Sequence, residues 1–258
     1  MIRQRKDNAM MRATETAPAP IEDPSIGVAA TVVLLRDSAD GPEVLLLERP
    51  RHRGSFAGAW VFPGGGVDPD DRSPTDLAPP ADPAAHAQIA EQLAARRAAV
   101  REVREETGLQ VSSDTLVATA LWIPPLSAPK RMRTWFYLTS APHGPIVLAE
   151  DEVIDSAWLR PETALERHAS ASMTLVAPTW VTLYGLQGHG SVADIVAGAG
   201  RRGLARYETR LGASVRGPVL FWAGDVAYDD DALVEQAGGR HRLEIGQVPW
   251  VYSASALT

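Results

Sequence analysis

Glu102, Glu105 and Glu106 stand at relative positions 0, 3 and 4 in the stretch Arg101-Glu102-Val103-Arg104-Glu105-Glu106-Thr107-Gly108-Leu109. On an α-helix those spacings bring three carboxylates to one face. Like charges there repel, so a helix gains nothing from the cluster itself. A hard divalent cation removes the repulsion, because Mg²⁺ and Mn²⁺ prefer carboxylate oxygens. Upstream lies Pro63-Gly64-Gly65-Gly66, a turn whose backbone can approach a bound group closely. Together these features point to a metal-dependent enzyme acting on a phosphate compound. The negative oxygens of such a compound repel a nucleophile, and a divalent cation neutralises them and acidifies water. Without the glycine turn, the same glutamates would read as a solvated helix face.

The elements around the cluster must position it. Gly27–Leu35 and Glu43–Glu48 read as two strands joined by the polar turn Asp37–Gly41, a hairpin. Trp60-Val61-Phe62 is a short strand leading into the glycine turn. Residues 68–85, rich in proline and aspartate, read as an irregular loop. His86–Thr107 reads as a helix whose buried face is Ile89, Leu93, Val100 and Val103, with the glutamates off that face and Gly108 as its stop. Further strands are expected at Leu116–Trp122, Thr134–Thr139 and Ile154–Leu159, and a helix opens at Pro161. Pro178–Leu186 and Val192–Ala199 read as helices, and Val219–Trp222 and Leu243–Val251 as late extended segments. This order predicts a mixed sheet flanked by helices.

On these residues the chain resembles the Nudix hydrolases. Their box runs Gly, five residues, Glu, seven residues, then Arg-Glu-apolar-X-Glu-Glu-X-Gly-apolar. Arg101 to Leu109 matches every defined position of the second half, and counting from Gly65 the first Glu falls on Asp71. Residues 72–100 then fill the gap, 29 where the plain box has seven, so 29 − 7 = 22 are extra. An interruption there resembles the branch containing the peroxisomal coenzyme A diphosphatases. So do Trp122-Ile123-Pro124-Pro125, Thr134-Trp135-Phe136 and Trp158-Leu159.

The resemblance, which covers about residues 27–185, implies an α/β/α sandwich over residues 25–165 with an insertion at about 72–85; residues 166–258 are expected to form a helical C-terminal extension packed upon it. It implies Mg²⁺ or Mn²⁺ held by Glu102, Glu105, Glu106 and a carbonyl near Gly64, with Arg101 orienting a glutamate through a bidentate pair. It also implies a further carboxylate from a later loop, with Glu152 favoured over Glu150. The expected substrate is a nucleoside diphosphate derivative, with coenzyme A or acyl-CoA leading. Lys130, Arg131 and Arg133 could meet its phosphates, or be solvated edge-strand cations. The alternatives are an NADH or ADP-ribose pyrophosphatase and a non-catalytic Nudix sensor. A sensor would be expected to lose box glutamates, and this chain keeps all three.

Composition narrows the field. With 258 residues, 45% hydrophobic and 22% charged, the chain can bury a sizeable core. A net charge of −7 argues against nucleic acid and anionic membranes as partners, and leaves a homodimer open. The absence of cysteine excludes thiolate chemistry and fits the cytoplasm. Residues 1–24 lack a secretory h-region and are expected to form a disordered leader. Gly198-Ala199-Gly200-Arg201-Arg202-Gly203 matches a dinucleotide fingerprint literally, but reads better as the end of a capped helix begun at Ser191. Trp122 and Trp135 are candidates for stacking on a base.

Overall fold

The computed structural model describes residues 26–52, 56–73, 83–149 and 151–255. The leader, most of the expected insertion and Glu150 lie outside these residues. β1 (Gly27–Ser38) and β2 (Gly41–Glu48) form the expected hairpin, closed at Ser38 and Gly41. β3 (Trp60–Val61) runs beside the end of β2, and β4 (Gly64–Gly66) pairs with Ala29–Thr31 of β1. β5 (Val117–Ile123), β6 (Met132–Ser140) and β7 (Asp155–Leu159) follow the long helix α1 (Pro83–Thr107). With β8 (Ala205–Glu208) they make a mixed sheet in the order β3-β2-β1-β6-β5-β8, β4 adding to β1 and β7 to β2.

Side-chain alternation along β1 divides the core in two. Val28, Ala30, Val32 and Leu34 face α1, while Val33 and Leu35 face the opposite layer. That layer holds α2 (Pro161–Ala169), α3 (Ala177–Leu186) and α4 (Val192–Arg202). Ser191 caps α4 by accepting from the Asp194 N–H, and Gly198 and Gly200 lie within its last turns. The glycine fingerprint therefore ends a helix, and its strand follows rather than precedes it.

Two readings change. The buried face of α1 is Ala94, Ala95, Ala98, Ala99 and Val103, whereas Ile89 is 53% exposed. Small alanines let the helix lie close to the sheet. That closeness buries Glu102 and Glu106, which therefore sit on the packed face and not off it. Secondly, the extension is helical only to Arg202. β9 (Arg210–Ser214), β10 (Gly217–Phe221), β11 (His241–Glu244) and β12 (Val251–Ala254) then form a separate antiparallel sheet in the order β12-β11-β10-β9. The segment expected over Leu243–Val251 is thus two strands joined by a turn.

This second sheet is bound to the first through aromatic rings. Tyr207 stacks on Trp122 at 4.0 Å and 4°, and Trp222 meets the edges of both. Trp222 is fully buried and donates Nε1–H to Thr209 Oγ1 at 3.0 Å. Replacing Trp222 with Ala is expected to cost about 3–5 kcal/mol, the range for emptying a buried aromatic site. Urea unfolding measures this, and a loss below 1 kcal/mol would show that the second sheet is not part of the cooperative core. No helix among the described residues is long and apolar enough to cross a membrane.

Candidate active site

The last three turns of α1 pack against β4, and Arg101 ties the two together. Its Nη2 donates to the Gly66 carbonyl at 2.9 Å and to Asp71 Oδ2 at 2.8 Å, while Nε reaches Asp71 Oδ1 at 3.4 Å. Its Nη1 donates to Glu102 Oε1 at 2.9 Å and Glu105 Oε2 at 3.0 Å. The two-pronged pair is therefore with Asp71, and the glutamates share one remaining nitrogen. Asp71 is itself held by the turn Pro69–Asp71, where its Oδ2 accepts the Asp68 N–H at 2.9 Å. These carboxylates, Asp71 foremost, hold the Arg101 guanidinium firmly protonated.

Glu106 accepts the Gly64 N–H at 2.8 Å, so at this glycine it is the N–H that the cluster engages. Burial pushes the Glu106 carboxyl up to about 7, and the charges of Glu102 and Glu152 add to the shift. Burial also raises Glu102, against the pull of Arg101 and with the repulsion of Glu105 and Glu152. Glu105 differs, with 45% of its side chain exposed.

Glu152 comes from the loop before β7. Val147 N–H donates to the Thr107 carbonyl at 2.9 Å, and Ala149 N–H to the Glu106 carbonyl at 3.4 Å. Glu152 N–H then turns back to the Ala149 carbonyl at 2.9 Å. The loop is thereby fastened to the end of α1, and the Glu152 charge acts on both buried glutamates.

The glycine turn is shaped by close approach. A Cβ on Gly65 would lie 2.3 Å from Glu102 Oε1, whereas one on Gly64 would lie 2.2 Å from the Ala30 carbonyl oxygen. A carboxylate at the end of a side chain can move aside, but backbone in a sheet cannot. Gly65→Ala should therefore fold with nearly unchanged stability yet displace the Glu102 carboxylate and lower kcat by about tenfold or more, the scale on which a small misplacement costs rate. Gly64→Ala should lose stability first. Melting curves and initial rates separate the two; Gly65→Ala with full activity would remove Glu102 from the site.

Arg49 was not singled out from the sequence. It continues the Leu45–Leu47 alternation toward the α1 side. Its charge acts on Glu106, and its Nε is buried with no hydrogen-bond partner among the described residues. Its signal is the two-residue strand period carried one step past Leu47, over Glu48 to Arg49. Lys130 is exposed, and Arg131 lines a different cleft. Arg133 is neither a solvated cation nor open to a phosphate. It is 5% exposed and bonded to Glu91 through Nε at 3.1 Å and Nη2 at 2.5 Å. Trp135 is fully buried with Nε1 on Glu91, and Trp122 is covered by Tyr207, so neither ring offers a face to a base.

Hard carboxylate oxygens, buried and repelling one another beside a glycine turn, are the donor set that Mg²⁺ or Mn²⁺ suits. As the side chains stand, no three acidic or histidine groups among the described residues converge on one point. Glu105 is turned toward Arg101, and its exposure leaves it room to rotate.

The family model for the NUDIX domain matches residues 26–78 and 83–177, more than half of the chain. The chain belongs to the Nudix family. It is accordingly a Nudix-type pyrophosphohydrolase. The break in the match falls inside the stretch read as an insertion. Among solved structures, a NUDIX hydrolase from Alicyclobacillus acidocaldarius shares 22% identity over 67% of this chain and 96% of its own, with a TM-score of 0.55. A MutT NUDIX hydrolase from Burkholderia pseudomallei shares 21% identity over 62% and 98%, with a TM-score of 0.42. The first of these likenesses is one of fold. A comparison with curated proteins gave no match.

Proposed function

We propose that this Nudix protein hydrolyses the diphosphate of a nucleoside diphosphate derivative in the cytoplasm, with coenzyme A or acyl-CoA as the leading substrate and Mg²⁺ or Mn²⁺ as cofactor. The observation that carries the chemistry is the burial of Glu102 and Glu106 against the glycine turn, where burial raises each carboxyl and the neighbouring glutamates repel it. Glu102, Glu105 and Glu106 would hold the cation, which when bound neutralises the diphosphate and acidifies water. Arg101 fixes the relative placement of Glu102, Glu105 and the turn. Glu152 supplies a further carboxylate to ligate or to take the proton of the attacking water. The water oxygen bonds to phosphorus, the anhydride P–O bond breaks, and the leaving phosphate carries away the bond's electron pair. Arg49, whose charge acts on Glu106, would be a further cation for a phosphate oxygen.

Coenzyme A as substrate rests on the interrupted box and the Trp122–Phe136 segments. A phosphate-release screen with Mg²⁺ and then Mn²⁺ across CoA, NADH, ADP-ribose, diadenosine polyphosphates and nucleoside triphosphates tests it. CoA should be cleaved to 3′,5′-ADP and 4′-phosphopantetheine ahead of the rest. If Lys130 and Arg131 clamp the 3′-phosphate, CoA should exceed dephospho-CoA in kcat/KM by roughly tenfold, the scale of a charged hydrogen bond. Equal rates would remove the clamp, and a clear preference for NADH or ADP-ribose would displace CoA.

A further inference from the structure

A cavity of about 500 Å³ lies at the end of β2, between residues 57–60 and the strap 171–174 that follows α2. Its volume is within the range of small-molecule sites. Glu48 lines it and alternates with Val44 and Leu46, so the cavity belongs to the face of the sheet opposite α1. Both walls are pinned by backbone bonds. Arg49 N–H donates to the Ala59 carbonyl at 3.0 Å, Trp60 N–H to the Thr174 carbonyl at 2.8 Å, and Ser172 N–H to the Arg167 carbonyl at 2.9 Å. Phe56 and Ala171, both at φ 58°, are the two non-glycine residues in the left-handed region among the described residues, and one stands at the head of each wall. Such conformations persist where the surrounding structure holds them, and they gather at ligand sites.

Two lining groups have unspent capacity. Glu48 is 7% exposed, and Arg51 places both Nε and Nη2 on its Oε1, at 3.0 and 2.9 Å. Oε2 accepts no hydrogen bond among the described residues, and a carboxylate so deeply buried is costly without one. Trp60 packs against the core of the α2–α4 layer and lines the cavity, yet its ring meets no other ring among the described residues. Trp122, Trp180, Trp222 and Trp250 are each engaged by an aromatic neighbour. Arg51 already balances the Glu48 charge, so the cavity calls for a neutral donor and a flat face, and not for a cation.

We propose that this cavity binds an amino-bearing heteroaromatic ring such as adenine, stacked on Trp60 with its amine donating to Glu48 Oε2. One rigid group then meets both demands. The ionised acceptor strengthens the hydrogen bond, and stacking supplies binding that does not depend on charge. The site uses none of the α1 glutamates: Glu48 turns away from α1, while the charge of Arg49, the next residue, acts on Glu106. The ring could be the base of the substrate or that of a separate nucleotide.

Equilibrium dialysis with nucleosides tests this without phosphate or metal, so its result stands apart from the function proposed above. In EDTA the wild type should bind adenosine. Purine riboside, the same ring without the amine, should bind roughly tenfold more weakly, the scale of a charged hydrogen bond. Glu48→Leu should bind the two alike, while Glu48→Gln, which keeps an acceptor, should retain part of the preference. Trp60→Leu should weaken both nucleosides together by about tenfold, the scale of a base stacked on an aromatic ring. Where melting curves show that Trp60→Leu does not fold, the Glu48 variants decide alone. No binding of millimolar adenosine, equal affinity for purine riboside, or a preference that survives Glu48→Leu overturns the site. Turnover of a nucleotide found by the phosphate-release screen then separates the two sources of the ring. Adenosine that raises KM with kcat unchanged, in the wild type and not in Glu48→Leu, assigns the cavity to the base of the substrate. A change in kcat with KM unchanged, again lost in Glu48→Leu, assigns it to a separate nucleotide.

Discussion

Glu105→Gln should abolish most of the hydrolytic activity, lowering kcat by 10²-fold to 10⁴-fold, the scale of losing a catalytic acid–base group. It should leave the melting temperature of the metal-free protein unchanged or slightly higher. The two halves of this prediction come from different features. Glu105 is half exposed and forms an i,i+4 pair with Arg101 at 3.0 Å, worth about a few tenths of a kcal/mol at most on a surface. Removing its charge also relieves repulsion with Glu102. The amide keeps the size and loses only the charge that a cation, or a proton from water, requires. Activity near that of the wild type would remove Glu105 from the site. A collapsed melting curve would make its role structural.

The residues legible in the sequence are those whose signal is local. The β1–β2 hairpin followed from two apolar runs and the turn between them, and the glutamate spacing from the helical period. Counting from Gly65 found Asp71, but not that Asp71 takes the Arg101 fork, since that pairing spans 30 residues. The buried face of α1 was misread because alanine gives little apolar contrast, so Ile89 drew attention away from Ala94 to Ala99. β4 is three glycines with no strand preference of their own. It exists because Gly64–Gly66 register against Ala29–Thr31. The second sheet was read in part for a similar reason. β9 is Arg-Leu-Gly-Ala-Ser with only partial burial, and it becomes a strand by pairing with β10. Glu152 was named from resemblance; what brings it to the glutamates is the pair of backbone bonds from 147 and 149 to the end of α1.

The strongest pH effect should come from Glu106. Its carboxyl is raised from 4.5 to about 7, chiefly by burial. The unfolded chain loses this proton near 4.5 and the folded chain only near 7. Between these values the folded state binds more protons, so the contribution to stability is full below 4.5, declines as pH rises, and is gone above 7. The shift corresponds to roughly 3 kcal/mol at about 1.4 kcal/mol per unit. Glu102 runs in the same direction. His168 and His241, lowered by burial, run the other way and lose stability as pH falls through the range below 6.5. The difference between the wild type and Glu106→Gln isolates the one group, since the amide oxygen can still accept the Gly64 N–H. In EDTA, the unfolding free energy of the wild type minus that of Glu106→Gln should fall by roughly 3 kcal/mol from pH 4.5 to pH 8. A cation competes with this proton, so millimolar Mn²⁺ should raise the wild-type melting temperature more at pH 8 than at pH 5.5. Glu106→Gln should show little of either effect. A flat difference across this range would mean that Glu106 is not held in the buried, proton-binding state. A metal-induced rise equal at both pH values would mean that the cation binds elsewhere.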